Sequence, residues 1–373
     1  MNSGGCTILL HFIRKYPKIN INSELSGLQE SQIEGERQSM ITIKELAKEL
    51  GVSPTTVSNV INGRTRKMSP ETRKRIEIAL VEHHYMMENR REHQKEIRLI
   101  ALDFCLGEKK NVLTDPFCGV LMEAVIENLR ECGRYVVSDS PSGEDAILGK
   151  LEARNIEGAI VLGYDPEKCE ELTRRAAKPI VFIDSGDGNY DNIGLQDREG
   201  AAQMTEYLIR QGHQRIAFFT DYKENSICNR MRMEGWLEAL RLRKLPFFQE
   251  DVYALPLDRH LRSEIIRQFA REKAGKVCTA AFFVNDLFAN EAVGILSSQG
   301  VRVPEDLSVA GFDDNIYARL SNPMLTTVRQ HPEEKAYEAV KLLMKRLRGE
   351  PVPVRSIHLP TELIVRESVK NMG

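Results

Sequence analysis

The sequence holds no Cys-x-x-Cys pair, no apolar run approaching the ~18 residues of a membrane span, and almost no net charge. Its seven cysteines (Cys6, Cys105, Cys118, Cys132, Cys169, Cys228 and Cys278) are odd in number and scattered. That excludes a disulfide framework or a zinc knuckle and fits a reducing, cytoplasmic compartment with buried or incidental thiols. Lys and Arg number 52 against 54 Asp and Glu, a net charge of −2. Any attraction to nucleic acid must therefore come from a local basic region. Gly-x-x-x-x-Gly-Lys-Ser/Thr, Gly-x-Gly-x-x-Gly and Gly-x-Ser-x-Gly are all missing. Gly186-Asp187-Gly188 lacks a third glycine and a following helix start, and His83-His84 stand far from any His-Glu-x-x-His. Nothing here requires a cofactor, a metal or a catalytic residue.

What is there is a chain of 373 residues, 42% hydrophobic and 28% charged. At roughly 150 residues per domain this gives two to three globular domains. Residues 1–39 stand apart. Their one apolar patch, Cys6 to Ile13, is broken by His11 and followed by Arg14 and Lys15, the reverse of a secretory signal. From Asn22 to Ser39 the Ser, Glu, Gln and Gly content reads as disordered linker. Glu34-Gly35-Glu36-Arg37 can be encoded by a purine-rich run such as GAAGGAGAGAGG, two codons ahead of Met40. The expectation is that this run is a ribosome-binding site, Met40 the native start and 1–39 an extension outside the native protein. The alternative is a genuine disordered arm.

Thr42 with Glu45 forms a capping box for a helix over Ile43 to Leu50, with Leu46, Ala47 and Leu50 on one face. Gly51 stops it and Val52 plugs the turn. Ser53-Pro54 opens a second helix that turns Val57, Val60 and Ile61 inward and Thr55, Thr56, Ser58, Asn59 and Asn62 outward. Ser69-Pro70 starts a third, running to about Val81. Two short helices across a tight turn form the DNA-reading helix-turn-helix; the bland alternative is a small helical bundle with a polar face. Arg64, Arg66, Lys67, Arg73, Lys74 and Arg75 gather six cations against Glu71, and residues 40–96 carry +3. Such cations release counterions from phosphates.

The string from Thr42 to Gly63, TIKELAKELGVSPTTVSNVING, together with Ser69 to Arg75 and Tyr85, resembles the headpiece of the LacI/GalR repressor family. The resemblance continues to Ser368. It implies that Pro54, Thr55 and Asn59 face base edges, and that Thr42, Ser53, Thr56, Ser58, Asn62, Ser69 and Thr72 position phosphates. Where the family usually has Arg, this chain has Asn59, which suits the N6/N7 edge of adenine rather than guanine. The family's hinge helix opens with a proline and wedges a leucine into the minor groove. Here Met87 and Gln94 hold those positions, and 85–96 reads equally as a solvated linker.

From Ile97 onward strand and helix runs alternate, which means parallel sheets with helices on both faces. The fold class is α/β: an all-α helix-turn-helix headpiece at 40–84, then a body at 97–370 too long for one sheet. The resemblance implies two lobes of periplasmic-binding-protein type, with crossovers near Leu195 and Val328 and a ligand between the lobes. Several strand ends carry polar groups: Asp184, Asn285 with Asp286, and Asp313 with Asp314. Singly, each reads more readily as a helix cap or turn residue. The resemblance makes Phe117, Asp184, Gln196, Arg232, Asn285 and Asp313 the effector set, with Phe117 stacking on a sugar face or purine. The family often has Asp-Asn where this chain has Gln196-Asp197, which leaves the ligand more open. His213, in a family turn, is read as structural.

The expected protein is a regulator of transcription, a repressor controlled by a sugar or related metabolite. Its expected partners are double-stranded operator DNA, the effector and a second copy of itself, with no membrane. A dimer is expected because no heptad tail follows Ser368. Two readings compete: an enzyme on an α/β body, and a solute-binding protein serving a transporter.

Overall fold

The computed structural model describes residues 41–61, 64, 68–83, 97–104, 115–138, 143–221 and 226–373. Residues 1–39, the linker at 85–96 and Asn62, all singled out in the sequence, lie outside the described residues. The chain forms two units, Met1–Lys95 and Glu96–Gly373.

The first unit contains α1 (Ile43–Leu50), α2 (Pro54–Ile61) and α3 (Pro70–Glu82). Local side chains start each helix. Thr42 N donates to Glu45 Oε2 at 2.7 Å while Glu45 N donates to Thr42 Oγ1 at 3.3 Å. Ser53 Oγ accepts from Thr56 N, and Ser69 Oγ from Thr72 N, each at 3.1 Å. Gly51 ends α1 at φ 66°, where a side chain would be strained. Leu46, Ala47, Val57, Val60, Ile76, Ala79 and Leu80 form the core. Each large aliphatic there contributes about 1.5–3 kcal/mol. Val52 packs at the edge of this core, half-buried rather than a sealed plug. Arg75 reaches from α3 to donate to Leu50 O at 3.1 Å, placing a cation at the negative end of α1.

The second unit holds two α/β lobes. In lobe 1, β1 (Leu99–Phe104), β2 (Tyr135–Val137), β3 (Ile156–Leu162), β4 (Ile180–Ile183), β5 (Asp191–Leu195) and β11 (Ser356–Leu359) form a parallel sheet in the order β11-β5-β4-β3-β1-β2. One face carries α4 (Pro116–Glu131) and α12 (Pro332–Leu347), the other α5 (Gly143–Glu152) and α6 (Pro166–Arg175). In lobe 2, β6 (Ile216–Asp221), β7 (Val252–Leu255), β8 (Ala280–Phe283) and β9 (Ser308–Ala310) run parallel in the order β7-β6-β8-β9. Here α7 (Asp197–Arg210) and α8 (Ile227–Leu242) pair with each other, as do α9 (Arg259–Glu272) and α10 (Asp286–Ser298). The short α11 (Ile316–Leu320) packs against α10. The centre of lobe 2 is aromatic, with Phe219 stacked on Phe283 at 4.3 Å and on Tyr253 at 4.6 Å.

The chain passes between the lobes after β5 and again after β10 (Thr327–Arg329), near the two crossovers anticipated from the sequence. It crosses a third time. β11 joins lobe 1, whereas β12 (Glu362–Ile364) pairs antiparallel with β10, and Ser368 O then accepts from Val309 N of lobe 2 at 2.9 Å. His213 is fully buried, with Nδ1 3.0 Å from Thr279 Oγ1. Cys118, Cys132, Cys169, Cys228 and Cys278 are all free thiols, and Cys132 is exposed.

Candidate functional site

Two places bring the singled-out residues together, one in each unit. On α2, Ser53, Pro54 and Thr55 are exposed, while Thr56, Ser58 and Asn59 are half-buried beside Val57 and Val60. The Ser53 hydroxyl lies 2.7 Å from Thr56 Oγ1, and Ser69 Oγ lies 2.8 Å from Thr72 Oγ1. Hydroxyls and first-turn N–H groups thus cluster at two helix N-termini, where an anion is favoured. The basic segment is less free than its sequence suggests. Arg73 pairs with Glu77 at 2.7 Å and Arg75 is bound to α1, while Arg66 and Lys67 lie outside the described residues.

In the second unit the strand ends converge at the lobe junction. Asp184, at φ 54° just beyond β4, accepts from Lys335 Nζ on both carboxylate oxygens at 2.7 Å. Lys335, in the first turn of α12, also donates to Gln330 Oε1 at 2.7 Å, and its ammonium lies 4.9 Å from the Phe117 ring centre. Gln330 Nε2 in turn donates to Asp313 Oδ1 at 2.7 Å. Asp313, at φ 117° after β9, stands 3.7 Å from Arg232 NH1. Arg232 Nε donates to Asp197 Oδ1 at 2.7 Å and NH1 to Val284 O at 2.6 Å, with its guanidinium 3.7 Å over the Phe312 ring. One continuous polar chain, Asp184–Lys335–Gln330–Asp313–Arg232–Asp197, therefore runs across both lobes and two of the crossovers.

The electrostatics follow from burial. Arg232 is 7% exposed, and Lys335 is 1% exposed, so each cation needs a carboxylate. Burial opposes the Arg232 charge, but Asp197 and Asp313 outweigh it and hold the guanidinium ionised. Burial raises the Asp197 carboxyl, and Arg232 and Lys335 pull it back. Asp313 is pushed up to about 7 by burial, against the pull of Arg232. Gly235 makes the Arg232–Asp197 approach sterically feasible. A Cβ there would meet Arg198 O at 2.1 Å, so any side chain would drive α8 off α7.

Phe117, Asp184, Arg232 and Asp313 are thus brought together. Gln196 is not: its side chain is exposed and makes no cap, and the acid entering the junction is the next residue, Asp197, which is 4% exposed. The first helical residue turns inward while the N-cap turns out, a one-residue distinction that composition does not carry. Asn285 is half-buried and caps α10, its Oδ1 accepting from Phe288 N at 2.8 Å. Asp286 is sealed between Thr327 Oγ1 at 2.7 Å and Asn315 N at 3.0 Å, and Asp314 is tied to Arg329 and Arg366. Lys335, Gln330 and Asp197 were missed by the sequence reading. The available signal was Lys335 at i, i+4, i+8 spacing with Ala339 and Leu343, on the apolar stripe of α12.

Among the described residues, no group of three His, Cys, Asp or Glu is arranged to hold a metal, and no helix is long and apolar enough to cross a membrane. Residues 42–87 match the family described as bacterial regulatory proteins, lacI family, and residues 205–369 match the periplasmic binding protein-like domain. The HTH-type transcriptional repressor PurR of Pectobacterium carotovorum is 30% identical over 344 residues, covering 88% of this chain and 97% of that protein. PurR of Actinobacillus pleuropneumoniae is 28% identical over 349 residues, covering 90% of this chain and all of the relative. Among solved structures, the transcriptional regulator CelR in complex with cellobiose aligns with TM-score 0.65 at 26% identity, over 88% of this chain and 99% of that one. A lac repressor dimer bound to operator and the anti-inducer ONPF aligns with TM-score 0.68 at 24% identity, covering 88% and 99% of the two chains, a likeness of fold. With a relative at this identity across both chains, and with both family matches falling on the units described above, the chain belongs to the lacI family of bacterial regulatory proteins.

Proposed function

We propose that this protein is a sequence-specific DNA-binding repressor of transcription, working in the cytoplasm as a homodimer and controlled by a small molecule bound at the lobe junction. The observation that carries the reading is the coexistence in one chain of a capped helix-turn-helix and a polar chain linking two lobes. In the headpiece, Pro54, Thr55 and Asn59 read base edges; Thr42, Ser53, Thr56, Ser58, Asn62, Ser69 and Thr72 hold phosphates. Small side chains at a helix N-terminus suit such close approach. At the junction, Phe117, Asp184, Arg232 and Asp313 receive the effector, joined by Lys335, Gln330 and Asp197. Asn285 holds the start of α10 in place beside them. The likeness to the transcriptional regulator CelR in complex with cellobiose supports a hydroxyl-rich ligand at this junction.

Control requires that the effector favour one lobe arrangement over the other, since a ligand shifts an equilibrium only through differential affinity. The polar chain provides that sensitivity, because its links span elements from both lobes. Leu257, Leu261, Ile316 and Leu320 leave apolar surface on the successive elements around α9, α10 and α11, which suits a self-association face. The test is Arg232→Ala. Operator binding by the variant should match the wild type, while the metabolite that alters wild-type binding loses its effect. Loss of the response in a variant that still folds and binds DNA supports the reading; an undiminished response removes the junction from it.

A further inference from the structure

We infer that the effector carries a positive charge, a protonated amine that docks against Asp313. This rests on the reading of the lobe junction as the effector site and adds the chemical class of its ligand. Counting the groups of the polar chain gives three carboxylates, Asp184, Asp197 and Asp313, against two cations, Lys335 and Arg232. Two of the carboxylates are matched at close range, Asp184 by Lys335 and Asp197 by Arg232, each at 2.7 Å. Asp313 has the remainder: a neutral amide from Gln330 at 2.7 Å, and an Arg232 nitrogen at 3.7 Å that is already committed to Val284 O at 2.6 Å.

The other groups around Asp313 do not supply the missing cation. Asp115, at the start of α4 in the opposite lobe, acts on Asp313 as a like charge. Asp286, at the start of α10, supplies no cation either: its carboxyl is itself pushed well above the carboxylate range, first by burial and then by Asp313. Lys335 draws Asp313 toward ionisation, yet its ammonium is bonded to Asp184 and Gln330. Cys228 stays a neutral thiol through burial. Whenever Asp313 is ionised the junction is therefore short of about one positive charge in a buried setting, where a mismatch is costly, and with its carboxyl pushed up to about 7 a proton fills that place for part of the time at neutral pH. An anionic ligand would deepen the deficit, and a neutral one would leave it. A ligand ammonium would complete it, and would do so between carboxylates contributed by opposite lobes. The nearby Phe117 ring already faces the Lys335 ammonium, so the aromatic lining is compatible with a cation.

The test compares glucose, glucosamine and glucuronate, which share a ring and differ in charge, as ligands of the full-length protein at neutral pH. Binding is read by the shift in melting temperature and by fluorescence of Trp236, the single tryptophan, which lies in lobe 2. Glucosamine is expected to bind about tenfold tighter than glucose, with glucuronate weakest. In Asp313→Asn, whose amide keeps the side-chain shape, glucosamine and glucose should become equal. An equal or stronger response to glucose or glucuronate in the wild type overturns the inference. So does an amine preference that survives Asp313→Asn, or a lack of any glucosamine response. None of these outcomes touches operator recognition, which is measured without ligand, so the ligand class can fail while the regulatory reading stands.

Discussion

Lys335 places its ammonium 2.7 Å from both carboxylate oxygens of Asp184, a residue 151 positions earlier in the chain. The pair ties the first turn of α12 to the end of β4, and with it the helix that follows the second crossover to the sheet of lobe 1. A buried ion pair adds little net stability, but removing one partner leaves the other charge stranded. Lys335→Ala is expected to destabilise the second unit by about 3–5 kcal/mol in urea unfolding. The double variant Lys335→Met with Asp184→Asn should recover most of that loss. Equal destabilisation in single and double variants would show that packing, not the unpaired charge, sets the cost.

Two buried groups give the stability curve opposing slopes. The Asp313 carboxyl moves from 3.8 in the unfolded chain to about 7 in the fold, driven by burial. The fold then holds a proton the unfolded chain lacks, so its stabilisation is full below 3.8 and is lost as pH rises to about 7. His213 moves the other way, from 6.5 down to about 4, again through burial. Its contribution is present above 6.5 and is lost as pH falls towards 4. Relative to wild type, Asp313→Asn should gain stability as pH rises across this range, and His213→Gln should gain as pH falls. Each change is on the order of 3–4 kcal/mol, read from urea melts at several pH values. Parallel curves for all three proteins would contradict both assignments.

Asn59 is half-buried on α2, and its main-chain carbonyl accepts from Arg64 N at 2.8 Å; in the proposed reading its side-chain amide faces an adenine edge. Asn59→Arg should move preference at one operator position from A·T to G·C, by about 1–3 kcal/mol in competition binding. Unchanged base preference at every position would remove Asn59 from the reading surface.

The headpiece was legible because its signals are local. Thr42 with Glu45, Gly51, Ser53-Pro54 and Ser69-Pro70 each dictate a helix end within a few residues, and all lie where those rules put them. The alternating body was legible for the same reason, since buried parallel strands read as short apolar runs. What escaped depends on distant partners. β11 and β12 are too short and too exposed to announce the third crossover. Lys335 looks like an ordinary helix lysine until Asp184 is seen against it. At Gln196-Asp197 the identity of the inward residue depends on the N-cap geometry of α7, which shifts the acid by one position from where the resemblance put it.

The central claim is that the polar side of α2 reads DNA sequence. It is tested most directly by incubating the purified protein with fragmented DNA of its own genome and with random duplex at low ionic strength, then sequencing what is retained. The account predicts strong enrichment of a near-palindrome whose half-sites lie about one helical turn apart, ~34–36 Å. Retention of genomic fragments in proportion to their length, with no site preferred over random duplex, would contradict it.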